Sequence, residues 1–88
     1  MDNMFLDCRS LEKLNLSNFN TCNTKYMLGM FSNCEKLEFL DISNFNTSNV
    51  SEMSCMFMDC KSLKELDLSS FNISRVKSLE YMFKIRFI

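Results

Sequence analysis

The sequence predicts an α/β solenoid of about three coils, with short parallel strands on one face and short helices on the other. Three observations predict it. Met-Phe dipeptides stand at Met4-Phe5, Met30-Phe31, Met56-Phe57 and Met82-Phe83, each 26 residues from the next. Periods of about 20 to 50 residues mark stacked repeats. Within each unit the apolar residues pass from a short alternation to steps of three, the change expected between a strand and a helix. Proline is absent and Gly29 is the single glycine, which disfavours a fold of many tight hairpins.

The chain divides without insertion or deletion into a partial unit 1–3, complete units 4–29, 30–55 and 56–81, and a broken partial unit 82–88, all one repeat domain, 1–88. Inside the complete units whole columns are identical, among them Cys8/Cys34/Cys60, Leu14/Leu40/Leu66, Phe19/Phe45/Phe71 and Asn20/Asn46/Asn72. Leu40 and Ile42 share one face of an alternating segment, with Phe39 and Asp41 on the other, which reads as a strand. Val50, Met53, Met56, Phe57 and Cys60 fit one face of a helix of two to three turns, with Ser48 or Asn49 as its N-cap and Glu52 completing a capping box. Neither element buries its face alone. Stacking at about 4.8 Å per coil turns each apolar column into a continuous internal ladder.

Both ends look uncapped, although solenoids ordinarily carry distinctive terminal repeats. Met1 falls in the column of Met27, Met53 and Leu79, so the chain opens in mid-unit. Arg86 stands where the next ladder cysteine belongs, and Lys84-Ile85-Arg86-Phe87-Ile88 is not a polar cap. These features read as a fragment of a longer parent or a truncated gene product.

Composition narrows the function. With 47% hydrophobic and 24% charged residues the chain has the balance of a folding domain. A net charge of −1 gives no field for nucleic acid or an anionic membrane. No basic stretch leads into an apolar core at the start, so no signal peptide is visible, and no anchor either. Histidine is absent, which leaves Ser17, Ser43 and Ser69 without a base for nucleophilic catalysis. No cofactor motif, metal site or enzyme is expected. Cys8, Cys34 and Cys60 read as a ladder of small buried side chains, since three thiols in line without histidine or Cys-x-x-Cys make a poor zinc site. Cys22 and Cys55 break the repeat and read as exposed free thiols. Asn20, Asn46 and Asn72 read as a structural ladder too, each amide bonding the coil above or below. The open strand face then carries the candidate binding residues: Lys13, Phe39 and Glu65 in one row, Asn15, Asp41 and Asp67 in the next. Phe39 is the one large apolar residue among charged neighbours.

The segment Leu-x-x-Leu-x-Leu-Ser-x-Phe-Asn resembles the leucine-rich repeat. The fuller unit, best seen in Met30 through Met53 with its Met-Phe, Cys34, Leu40-Asp41-Ile42-Ser43 and Phe45-Asn46 positions, is similar to the BspA-like leucine-rich repeat. The resemblance spans residues 1 to about 83. It implies a leucine-rich-repeat-type solenoid in a bacterial-type cell-surface or secreted protein that binds host or matrix proteins, without catalysis. The expected role is therefore a protein–protein interaction module for adhesion; a structural spacer in an envelope protein is the alternative. The expected partner is a protein, with no nucleic acid and no membrane contact by this segment.

Three coils are near the minimum for a repeat array. The isolated chain is therefore expected to be marginally stable or to associate end to end through its outer coils and the Ile85, Phe87, Ile88 tail. Light scattering checks this, and a stable monomer with a cooperative melt would contradict it.

Overall fold

A computed structural model describes residues 1–85. The expectations placed on Arg86, Phe87 and Ile88 lie outside the described residues. The 26-residue coils stack in register, but the predicted α/β arrangement is wrong: among the described residues there is no helix. Among those residues, regular secondary structure is confined to two three-residue strands, β1 (Lys13–Asn15) and β2 (Phe39–Asp41). They pair in parallel, with Leu14 opposite Leu40. Glu65 extends the row through a single bridge to Phe39.

Two features exclude the helix expected around Val50 to Cys60. The first is backbone handedness. Cys55 and Asp59 have φ of 59°, and their equivalents Gly29 and Asn33 in the preceding unit have 60° and 62°. Left-handed residues occur singly and cannot sit inside a right-handed helix. The second is where the amides point. Met53, Cys55, Phe57 and Asp59 donate N–H bonds of 2.8 to 3.3 Å to the carbonyls of Ser78, Glu80, Met82 and Lys84 on the next coil. Met27, Gly29, Phe31 and Asn33 do the same to Glu52, Ser54, Met56 and Met58. Alternate amides thus form a parallel ladder between coils instead of closing helical turns. The proposed cap is also spoken for, because the Ser48 amide and hydroxyl both donate to Asn46 Oδ1.

What resembled a helical face is a series of β-turns. Bonds from N–H to the carbonyl three residues earlier close Ile42–Phe45, Thr47–Val50, Met53–Met56 and Phe57–Cys60. The first and last residues of a β-turn lie within about 7 Å, so both ends face the same side. All eight of these side chains are buried. Turn ends are three residues apart, as are neighbours on a helix face, which is why the spacing misled. Cys55 and Asp59 occupy the third position of their turns, where positive φ is the rule for type II turns.

The core is centred on the middle unit, where Phe31, Cys34, Leu37, Ile42, Phe45, Val50 and Met53 are at most 1% exposed. Phe5, Phe31, Phe57 and Phe83 stack face to face, with centroids 5.5 to 5.6 Å apart. Phe45 and Phe71 stack at 6.4 Å. Beside these apolar columns runs a buried polar one, Thr21 and Thr47, that the sequence reading missed. The buried Thr47 hydroxyl donates to the Asn72 carbonyl at 2.9 Å and accepts the Asn72 N–H at 2.8 Å. Thr21 holds Asn46 in the same way. The third unit has Ile73 at this position, 54% exposed.

Two outcomes test this architecture by urea denaturation. Thr47→Val keeps the shape but strands the Asn72 amide, and is expected to destabilise by about 1–3 kcal/mol. Cys55→Gly removes a left-handed penalty of about 1–2 kcal/mol against a glycine entropy cost of about 0.5–1 kcal/mol. It should therefore raise stability, whereas glycine in a genuine helix would lower it.

Candidate functional site

The outward rows of β1, β2 and the third coil come together as an open groove of about 540 Å³. Lys13, Asn15, Phe39, Asp41, Glu65 and Asp67 all line it, over a floor that includes Leu14, Leu40 and Ile42. Strand alternation explains the sorting: Leu40 and Ile42 are buried, while Phe39 between its charged neighbours is 42% exposed. The Lys13 and Lys64 ammonium groups lie 5.7 and 5.9 Å from the Phe39 ring centroid. Lys64 also pairs with Glu38 at 3.7 Å. Sequence reasoning passed over Lys64; the usable signal was its opposite charge 26 residues after Glu38.

The second row is held by local geometry. Asp41 Oδ1 accepts the Ser43 amide at 3.1 Å and the Ser43 hydroxyl at 2.6 Å. Asn15 and Asp67 accept the amides of Ser17 and Ser69 likewise. Such Asx turns bend the chain out of the strand. Hydrogen bonds from the Ser43 side chain and backbone hold the Asp41 carboxyl below the ordinary carboxylate range, and Ser69 does the same for Asp67. Both stay ionised at neutral pH, and neither has an ion-pair partner among the described residues. Charge consequently runs along the stack, from Lys13 on the first coil to Asp41 on the second and Glu65 and Asp67 on the third.

The other columns serve the coils themselves. Asn20, Asn46 and Asn72 do not bond neighbouring coils through their amides, as the sequence reading expected. Each Oδ1 accepts an amide two residues on, from Cys22, Ser48 and Ser74. Near them, bonds across coils come from Thr21 and Thr47, and on the outside from Asn44 and Asn49, whose Nδ2 groups donate to the Ser17 and Cys22 carbonyls. Cys34 and Cys60 are buried and donate to the Phe5 and Phe31 carbonyls, with Sγ to O distances of 3.2 and 3.0 Å, while Cys8 is half-buried. Cys22 and Cys55 are half-buried, less open than expected.

Residues 1–86 match the family described as "Mycoplasma protein of unknown function, DUF285". The chain belongs to that family. No curated protein and no solved structure matches it. The DUF285 match covers every described coil, so the groove lies wholly within the family's repeat region.

The thiols of this DUF285 chain supply a test of the ladder. Burial, followed by the neighbouring ladder cysteine, pushes Cys34 up from 9.0 to about 11 and Cys60 to about 12. Both thiols stay protonated in the folded chain, whereas unfolded thiols ionise near pH 9. Their contribution to stability is complete below pH 9 and is lost as pH rises toward 11 to 12. Urea midpoints should fall across that window, less steeply in Cys34→Ser. Iodoacetamide at pH 8 should modify Cys22 and Cys55 well before Cys34 and Cys60.

Proposed function

We propose that this chain is a protein–protein interaction segment of a cell-surface or secreted repeat protein and that the groove on the strand face is its binding surface. The observation that carries this reading is the sorting of side chains. Inward columns repeat from coil to coil, while the outward row changes from Lys13 to Phe39 to Glu65. A half-exposed aromatic ring in an open groove, flanked by both charge signs, has the composition of an interface anchor. The concave or open faces of stacked repeats are the surfaces such proteins use for binding. The surface location rests on the resemblance to the BspA-like repeat, and adhesion to host or matrix proteins follows from the same source.

The test is titration of immobilised extracellular-matrix proteins with the full chain. Phe39→Ala is compared with Ile73→Ala, which truncates an exposed apolar residue outside the groove. Loss of an anchor worth about 1.4 kcal/mol weakens binding about tenfold. Phe39→Ala should do so and Ile73→Ala should not. Equal affinities for both variants and the wild type would remove the groove from the binding reading.

A further inference from the structure

The groove is polarised, and its polarity specifies a ligand. Its first-coil end presents Lys13. Its centre presents the Phe39 ring, with the ionised Asp41 beside it in the second row. Its third-coil end presents Glu65 and Asp67, with no cation paired to either among the described residues. Each end therefore holds charge available to a partner, and the apolar contact lies between the ends.

We infer that the groove takes an extended peptide segment of a partner protein with an acidic residue, an apolar residue and a basic residue at alternate positions. This rests on the proposed binding role and deepens it. The acidic side chain meets Lys13, the apolar one covers Phe39, and the basic one reaches Glu65 and Asp67. Spacing supports the alternate positions. Two coil steps of about 4.8 Å and two residues along a strand at about 3.3 Å each put Lys13 and Asp67 about 12 Å apart. An extended segment covers about 13 Å in four residues and shows every second side chain to the same face. A peptide lying obliquely across the coils thus matches all three contacts. A partner of one charge sign would gain at one end and be repelled at the other, which is how charge complementarity selects partners.

The experiment is fluorescence polarisation of labelled heptapeptides with the full chain at low salt. The three probes are Ser-Glu-Ala-Leu-Ala-Arg-Ser and the two analogues with glutamate or arginine at both charged positions. The mixed peptide should bind at least tenfold more tightly than either analogue. Lys13→Glu should shift preference to the doubly basic peptide, and Glu65→Lys to the doubly acidic one. Both substitutions fall on exposed side chains, so the fold is expected to tolerate them, and a urea melt checks that it does. Equal binding of all three probes, unmoved by the charge reversals but weakened by Phe39→Ala, would overturn the polarity and leave the binding face standing. Binding of a matrix protein, sensitive to Phe39→Ala, with no binding of any peptide would also overturn it. If no probe or matrix protein binds, both readings fall.

Discussion

The hydrogen bond from a backbone amide to the carbonyl 25 residues ahead organises the molecule. It repeats from Asn3 to Leu28, from Met27 to Glu52 and from Met53 to Ser78. Because each coil finds its partners on the next, none needs a helix or a long strand of its own to satisfy its backbone. The constraint is a constant repeat length. A single inserted residue would shift the amides of one coil, those whose bonds span it, off their acceptors and break the apolar columns at that junction. The unbroken 26-residue register follows from that requirement, as do the like-on-like stacks of Phe5, Phe31, Phe57 and Phe83.

Handedness is where the chain is least well fitted to its own fold. The residues before the Met-Phe pairs all adopt positive φ: Asn3, Gly29, Cys55 and Tyr81. Asparagine and glycine enter that region readily, cysteine and tyrosine less so. At Gly29 a β-carbon would stand 2.5 Å from Asn3 Oδ1, the end of an exposed side chain that can turn aside, so it is handedness that glycine answers there. The second left-handed column, Asp7, Asn33 and Asp59, uses side chains that tolerate it throughout.

Much of this was legible in the sequence, and the failures have definite causes. The period, the buried columns, the strand near Leu40 and the outward row of Lys13, Phe39 and Glu65 could all be read from spacing alone. The helix was misread because turn ends and helix faces share a step of three. The handedness that separates them was signalled in one column, Asp7, Asn33 and Asp59, and hidden in the other, Asn3, Gly29, Cys55 and Tyr81, which share no side-chain type. Asparagine was credited with bonds across coils because its amide can make them. At that turn threonine makes them, since its buried hydroxyl both donates to and accepts from the backbone of the next coil. Lys64 escaped notice because its partners, Glu38 and Phe39, lie a full coil away in sequence.

Ile73 gives the stack a direction. Thr21 and Thr47 each reach forward to hold the backbone of the coil that follows, and Ile73 has no hydroxyl with which to do so. Any coil laid on the third, from whatever chain, would bury an amide and a carbonyl against a hydrocarbon side chain, at a cost of about 1–3 kcal/mol. Thr21 and Thr47 therefore clamp the coil after them at this position and Ile73 cannot, although Phe83 and Lys84 of the fourth unit already stack and bond on the third. A single exchange of a hydroxyl for an ethyl group at a repeating position thus leaves one polar clamp out of the next junction, while the backbone ladder between coils stays continuous.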